Sequence, residues 1–276
     1  MSTLTTEPVN SRESSRILVQ PVTQIRVRRS EWVKMRSLRS TLLTLAAAVA
    51  TLIATGVLVG IVTNHYWSTL RPDEIAAFNP IDRTLLGYNL AQLAVCVLGV
   101  LLVTGEYATG MIRATFGAVP QRLPVVWAKA TVYAVVTLVL MTAAALVAFS
   151  SGQLLLGDHG TTLAADGALH SVIGVGGYLT LIGVLAVALG FVIRSTAGAV
   201  ALLFGLLMVL PAMGLLLPSS WQENLLPYLP SNAGSSMIAT HIAPQGLSAE
   251  TGLLVLTTWV IGALALAAVL VKRRDA

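Results

Sequence analysis

Six long stretches of this chain carry no charged side chain, and this feature constrains the fold more than any other. None of them contains Asp, Glu, Lys, Arg or His. Because about 20 apolar residues are enough for a helix to cross the hydrocarbon core of a bilayer, each stretch is long enough to do so. The sequence therefore predicts an all-α, polytopic membrane protein with six transmembrane helices at about 41–63, 84–104, 130–156, 171–193, 195–217 and 251–271.

The composition leaves no room for a separate soluble domain. Charged residues make up 11% of the chain and the mean hydropathy is +0.80, whereas a typical soluble domain contains about 25% charged residues. The residues before the first span are too few and too polar to bury a core of their own. We therefore predict a disordered cytoplasmic tail (1–20), a basic interfacial helix (21–40) and a six-helix transmembrane domain (41–276).

The Lys and Arg residues predict the orientation of the spans. If both termini lie in the cytoplasm, every Lys and Arg except Arg71 and Arg83 falls on the cytoplasmic side. Cytoplasmic loops of membrane proteins carry such an excess of basic residues. Topology thus accounts for the net charge of +5, and we predict no binding of nucleic acid.

Two segments outside the spans are predicted to lie against the membrane. Residues 21–40 mix six basic side chains with apolar ones such as Trp32, which is typical of a helix on the membrane surface. A cluster of charges that only sets the topology would look the same. Residues 218–248 place apolar side chains between four prolines, and we expect two short helices there that re-enter the outer leaflet before the last span.

Several kinds of chemistry have no basis in this sequence. It contains no G-x-x-x-x-G-K-[ST] phosphate loop, no H-E-x-x-H metal motif and no G-x-S-x-G motif. We therefore expect no catalytic residue, no metal site and no cofactor in this chain. Carriers driven by ion gradients usually keep ionisable side chains within their spans. Spans without such groups fit better with a motor on another subunit.

The connection between the second and third spans, residues 105–124, is where such a motor could act. Glu106 and Arg113 place charges just beyond the membrane. A small apolar helix face beside these charges could anchor a partner protein, and four residues could form it: Tyr107, Met111, Ile112 and Phe116. Alternatively, the two charges are ordinary loop residues that pair locally.

Three short motifs resemble those of permeases of the ATP-binding-cassette superfamily, type-2 exporter class. The G-E-Y-x-x-G-x-I-R motif of that family is matched at Gly105, Glu106, Tyr107, Gly110, Ile112 and Arg113. The E-W-x-K-x-R-S motif of its bacterial members is matched at Glu31, Trp32, Lys34, Arg36 and Ser37. The run L-P-S-N-A-G at 229–234 is similar to a segment before their last span. The resemblance covers essentially the whole chain, although Ala108 stands where many relatives carry a basic residue.

The resemblance implies a function and partners. In this family the stretch after the second span is a coupling helix that docks on a cytoplasmic ATPase, and the amino-terminal helix touches the same ATPase. The chain is therefore expected to be the permease subunit of an exporter in the bacterial inner membrane. Its expected partners are a second permease chain, in a homodimer or heterodimer, two ATPase subunits that bind ATP and Mg²⁺, and membrane lipids. The apolar spans suggest an amphipathic cargo, such as a drug, an antimicrobial peptide or a lipid-like molecule.

Some residues within the spans are candidates for lining a pathway. Asn89 and Gln92 are three positions apart and share one helix face. Polar groups in a span prefer a cavity or the protein interior to lipid, but hydrogen bonds between helices would explain them equally well. The other candidates for lining a pathway are Tyr88, Met141, Phe204 and Met208. For the apolar ones, simple packing between helices is the alternative. In the same fifth span, Pro211 predicts a kink.

Two other classes of function remain open at this point. A carrier or channel driven by an ion gradient would move its solute without an ATPase. A scaffold or sensor subunit would bind its partners without any transport. A neighbouring gene that encodes a nucleotide-binding subunit would favour the exporter over both.

Overall fold

The structure, a computed structural model, describes residues 23–214, 216–241 and 246–274. The tail predicted at 1–20 lies outside the described residues, as do residues 21–22 of the basic segment and residues 242–245 of the segment before the last span. Every regular element within the described ranges is a helix, so the predicted all-α fold is confirmed.

Six of the helical units are long and apolar enough to cross a membrane, as the sequence predicts. They lie at Arg39–Thr69, Pro80–Ala108, Leu123–His159, Ala168–Ile193, Thr196–Gly214 and Ala249–Arg273. The α-helices of the described ranges follow one another as α1 (Gln24–Ser37), α2 (Arg39–Tyr66), α3 (Pro72–Ala76), α4 (Pro80–Leu85), α5 (Tyr88–Ala108), α6 (Met111–Ala118), α7 (Leu123–Leu156), α8 (Ala168–Ile193), α9 (Thr196–Phe204), α10 (Leu210–Gly214), α11 (Ser219–Asn224), α12 (Pro230–Ser236) and α13 (Ala249–Arg273).

Most of the spanning helices extend beyond the uncharged stretches that predict them, and in two of them the extension includes a charge that is buried. Helix α5 continues to Ala108 and so includes Glu106, and α7 begins at Leu123 and so includes Lys129. The sequence places both charges outside the spans. In the structure both residues belong to the spanning helices. Each can lie at the buried end of its helix because Lys129 and Glu106 form an ion pair with each other.

Helix α8 lies at the centre of the bundle, packed against α5, α7 and α13. Most of its side chains are buried, including the large rings of Tyr178 and Phe191. Small residues let its neighbours come close: a Cβ atom added to Gly99 of α5 would lie 2.6 Å from the carbonyl oxygen of Gly183. Spanning helices associate largely through such close packing, because apolar side chains gain no hydrophobic free energy when they leave lipid for the protein interior.

One end of the bundle, called the basic end below, carries α1, α6 and the last turn of α13. Arg122, just before α7, donates a hydrogen bond to the carbonyl oxygen of Val271 at 3.4 Å. Arg274 donates to the carbonyl oxygen of Val192 at 3.2 Å. The beginning of α7 and the ends of α8 and α13 therefore meet at this end.

The far end of the bundle is closed by short helices. The segment predicted to contain two short helices before the last span contains α11 and α12. Helix α12 packs against α13 and α8, and its Gly234 lies directly on the ring of Tyr178, where an added Cβ would clash. Asn79 and Asp82 of the α3–α4 region both hydrogen-bond the hydroxyl of Thr240, which follows α12.

The fifth span changes its helical geometry midway. Helix α9 passes into a π-helical turn at Gly205–Val209 before α10 begins. Pro211 has no N–H group, and its ring would crowd the carbonyl of Leu207 in a regular α-helix. A wider turn relieves that crowding. The structure thus shows a π turn just before the residue at which the sequence predicts a kink.

Candidate functional site

Helix α1 lies against the bundle through one face. Its buried side chains, Val27, Glu31 and Met35, recur every four residues and face α7 and the start of α2. The backbone is extended at Leu38, with φ −84° and ψ 114°, so α2 starts in a new direction. The side-chain amide of Gln24 donates to the carbonyl oxygen of Pro124 at 3.2 Å, which fixes the first turn of α1 to the first turn of α7.

Four charged side chains meet where α1 contacts α5 and α7, and we call Glu31, Lys34, Glu106 and Lys129 the charge cluster. The Nζ atom of Lys129 lies 2.6 Å from Oε2 of Glu31 and 2.9 Å from Oε1 of Glu106. The Nζ atom of Lys34 lies 2.8 Å from Oε1 of Glu31 and 3.0 Å from Oε1 of Glu106. Two carboxylates and two ammonium groups therefore neutralise one another across three helices.

The charge cluster is largely shielded from solvent. The side chain of Lys129 is 3% exposed and that of Glu31 is 5% exposed. Taking such ions out of water costs several kcal/mol each unless they are paired, and removing one partner of a buried pair is strongly destabilising. The cluster therefore holds α1 in one position relative to α5 and α7.

Opposing effects act on the pKa values of the two α1 residues in the charge cluster. Burial acts to raise the pKa of Glu31, but the charges and hydrogen bonds of Lys129 and Lys34 outweigh it and hold this pKa below its ordinary value of 4.5. Burial likewise acts to lower the pKa of Lys34, but Glu31 and Glu106 outweigh it and raise this pKa above 10.5. Both side chains are therefore charged at neutral pH.

Acid is expected to weaken the attachment of α1 to the bundle. Because the pKa of Glu31 is lower in the folded protein, its contribution to stability is complete above pH 4.5 and is lost as the pH falls through the folded value. The contribution of Lys34 to stability depends on pH in the opposite direction. It is complete below pH 10.5 and is lost as the pH rises through the raised pKa of the folded protein. Thermal unfolding of the detergent-solubilised protein from pH 7 down to about pH 3 measures the effect of Glu31.

The Glu31→Gln variant is the control for the acid experiment, because other carboxyl groups also titrate in this range. We expect the variant to start from a lower unfolding temperature at pH 7 and to lose less of it on acidification. A parallel loss in both proteins would contradict the stabilising role of the Glu31 carboxylate.

A sharp turn joins the charge cluster to α6. Helix α5 ends at Ala108, and Gly110 adopts a left-handed conformation with φ 70°, which glycine accepts without the strain that a Cβ atom would add. Helix α6 then follows at the basic end of the bundle. Its Thr115 hydroxyl lies 3.4 Å from Nζ of Lys34, so α6 is also in contact with α1.

The single apolar face predicted from Tyr107 to Phe116 does not form, because the turn places Tyr107 on a different helix from the other residues. Tyr107 is half-buried, with the guanidinium of Arg194 over its ring at 5.0 Å. Ile112 and Phe116 are buried in the core of this chain. Among the residues proposed for this face, only Met111 is largely exposed, at 48%.

The residues matched by the two coupling motifs separate into two groups in the structure. Glu31, Lys34 and Glu106 belong to the charge cluster. The exposed group comprises Trp32 and Arg36 on α1 and Arg113 on α6, and with Met111 we call it the α1–α6 surface. The remaining motif residues are Ser37, at the end of α1, and four residues of α5, α6 and the turn that joins them: Gly105, Tyr107, Gly110 and Ile112.

Lys129 is the functional candidate that sequence reasoning missed. It immediately precedes an uncharged stretch, where a lysine is usually interpreted as an anchor at the membrane surface. In the structure it is the most buried charged residue of the charge cluster. The helical spacing from Leu123 onward is the signal that could have placed it on the inner face of α7 together with Val125 and Val126.

The six pathway candidates do not converge on one cavity. Gln92 is buried and accepts a hydrogen bond from the hydroxyl of Tyr178, a residue of α8 that the sequence did not single out. The ring of Tyr88 packs edge-to-face on Tyr178, with centroids 5.6 Å apart. Asn89 instead donates to the carbonyl oxygen of Leu86, in the turn between α4 and α5, at 3.3 Å.

The apolar candidates lie apart from this polar group. Met141 is fully buried in α7, whereas Phe204 is 50% exposed on the outside of α9. Met208 lies in the π-helical turn and is partly buried. Of the six candidates, Tyr88 and Gln92 are thus the two that share a common partner.

Comparison with known proteins does not place this chain in a family. No protein-family model matches the sequence, and no curated protein matches it. The geometry of the charge cluster and of the α1–α6 surface is therefore the main basis for a functional proposal.

Proposed function

We propose that this chain is the membrane-spanning permease subunit of an ATP-driven exporter of the type-2 ATP-binding-cassette class. The observation that carries this proposal is the charge cluster. It joins α1, which lies outside the six spans, to α5 through the Lys34–Glu106 ion pair and to α7 through the Lys129–Glu31 ion pair. A force applied to α1 or α6 from outside the bundle would therefore reach two spanning helices directly.

In this proposal the basic end faces the cytoplasm and the α1–α6 surface receives the ATPase. Trp32 and Met111 offer apolar contacts and Arg113 offers a charged one, a combination that interfaces commonly use. ATP and Mg²⁺ are bound by the ATPase subunits, and this chain carries out no bond chemistry. Closure of the ATPases would move α1 and α6 as a unit, with α5 and α7 following.

The pathway is proposed to lie between two permease chains in a bacterial inner membrane. Helix α8 fills the centre of the six-helix bundle with buried side chains, which argues against a pathway through a single copy. A gradient-driven carrier needs an ionisable group that can take up and release its ion. The charges of the cluster are instead paired with one another, and this favours an external motor.

Purification of the tagged chain from its native membranes tests this proposal. We expect a subunit with a phosphate-binding loop to be identified by mass spectrometry in amounts similar to the permease. The reconstituted complex should move an amphipathic dye only when ATP is supplied. A purified chain that moves solute against a gradient without any ATPase would overturn the proposal.

Arg113→Ala is expected to weaken ATPase binding about tenfold, since arginine is enriched among the few interface residues whose loss costs more than about 1 kcal/mol. Arg113 is suited to this experiment because it is exposed on α6, whereas Glu106 is buried and its loss would also disturb the charge cluster. Titration of the purified ATPase onto nanodisc-embedded permease measures the change.

The control for this experiment is Arg273→Ala, which removes an exposed charge at the same end of the bundle but on α13. It should bind the ATPase within about twofold of wild type. Equal weakening by both changes would show that only the overall positive charge matters and would count against docking on α6.

A further inference from the structure

A cavity of roughly 450 Å³ lies between α2 and α5 at the basic end. The two helices are in close contact toward the far end, where a Cβ atom added to Gly87 would lie 2.8 Å from the carbonyl oxygen of Leu52. Toward the basic end they separate, and we call the space between them the wedge. Its volume falls within the range of about 300–1,000 Å³ that small-molecule sites occupy.

The wedge has apolar walls and a charged end. Leu98, Leu101 and Leu102 of α5 form much of one wall. Thr41 and Thr44 of α2 contribute to the other. All four residues of the charge cluster also line the cavity. A molecule that filled the wedge would therefore need an apolar part along the spans and a polar part at the basic end.

One carboxylate oxygen of the charge cluster is unpartnered. Oε1 of Glu106 accepts from both ammonium groups, and each oxygen of Glu31 accepts from one of them. Oε2 of Glu106 is buried and has no hydrogen-bond partner among the described residues. Buried acceptors in proteins are nearly always satisfied, so this atom points to a ligand that donates a hydrogen bond.

Lys34 supplies the complementary charge beside this oxygen. Its side chain is 27% exposed, unlike that of Lys129, and its Nζ atom lies 3.0 Å from Oε1 of Glu106. A positive group at the rim and an unpartnered carboxylate oxygen next to it match a headgroup that carries both a phosphate and an ammonium group.

We propose that the wedge binds one phospholipid with a primary ammonium headgroup. Because Oε2 of Glu106 is shielded from solvent, its carboxylate turns toward the wedge when the ammonium donates to this oxygen. The phosphate lies near Lys34 and is attracted by its charge, since the hydrogen bonds of this ammonium go to Glu31, Glu106 and Thr115. An acyl chain follows the leucines of α5. A choline headgroup has no N–H group and cannot make the first of these contacts. This site does not depend on the proposed transport function, because the binding requires no ATPase.

The proposal can be tested on the wild-type protein by comparing lipids whose headgroup nitrogen carries different numbers of methyl groups. The delipidated protein is mixed with equal amounts of phosphatidylethanolamine and phosphatidylcholine, and the retained lipid is identified by native mass spectrometry. We expect one retained phosphatidylethanolamine and about a tenfold preference over phosphatidylcholine, which is the size of effect that one hydrogen bond to a charged group produces. Mono- and dimethylated headgroups, which keep an N–H group, should still be retained. Equal retention of phosphatidylcholine would overturn the proposal.

Two tryptophan substitutions on adjacent residues of α2 locate the site. Thr44→Trp fills the wedge and should abolish the preference for the ethanolamine headgroup. Leu43→Trp changes a side chain that is 70% exposed and does not line the wedge, and it should leave the preference unchanged. A preference that survives Thr44→Trp would place the lipid elsewhere and overturn the assignment.

Discussion

Replacing Lys129 by Met is expected to lower the free energy of unfolding by about 3–5 kcal/mol, the usual cost of removing one partner from a buried ion pair. Met preserves much of the length of the side chain but removes the ammonium that neutralises Glu31 and Glu106. Two buried carboxylates would then share the charge of Lys34 alone. Unfolding of the micelle-embedded protein by a denaturing detergent measures the change.

Lys272→Met is the matched control, since it makes the same substitution at an exposed position in the last turn of α13. Its effect should stay within about 0.5 kcal/mol. In the double variant with Glu31→Gln, the Lys129→Met change should cost less than it does alone, because one of the carboxylates that it leaves uncompensated is then neutral. Strictly additive losses would contradict direct pairing between Lys129 and Glu31.

The six spans could be predicted because a long uncharged apolar run has few alternatives to a membrane helix. The charge cluster could not, because Lys129 and Glu31 are separated by 98 positions in the sequence. Nothing in the spacing of either residue indicates such a partner. Sequence reasoning therefore assigns each charge to the membrane surface, whereas the fold brings them together inside.

The connection after α5 does not have the local geometry that the apolar spacing predicts. An apolar face over Tyr107 and Phe116 requires a continuous helix. Gly110 interrupts it, and a glycine after a helical run is a common signal for a left-handed helix end. Giving more weight to that glycine than to the apolar spacing would have separated α5 from α6.

The sides of the spans that face the protein interior are harder to predict than the spans themselves. In a soluble protein, apolar periodicity separates the buried face of a helix from the exposed one. In lipid both faces are apolar, so Met141, which is buried, and Phe204, which is half exposed, look alike in the sequence. Small residues at helix contacts are a better guide in membrane proteins.

Gly99→Leu is expected to destabilise the bundle by about 3 kcal/mol, because a larger side chain would force apart two helices that are in contact through their backbones. A Cβ atom at this position would lie 2.6 Å from the carbonyl oxygen of Gly183 and 2.9 Å from Cβ of Ala186. The backbone of α8 cannot move aside as a flexible side chain can, since α8 is also packed against α7 and α13. The free energy of unfolding and the yield of monodisperse protein measure the effect.

The decisive comparison is Gly262→Leu in α13, where an added Cβ atom would meet no atom within 4 Å. Both substitutions gain the same helix propensity, since glycine is the less favourable residue in a helix by up to about 1 kcal/mol. Gly262→Leu should therefore be neutral or slightly stabilising. If the two variants lose stability equally, the close contact between α5 and α8 is not what holds the central helix in place. If only Gly99→Leu loses stability, the close contact between α5 and α8 is confirmed as the contact that fixes the position of α5. The position of Glu106 on α5 then depends on the same contact.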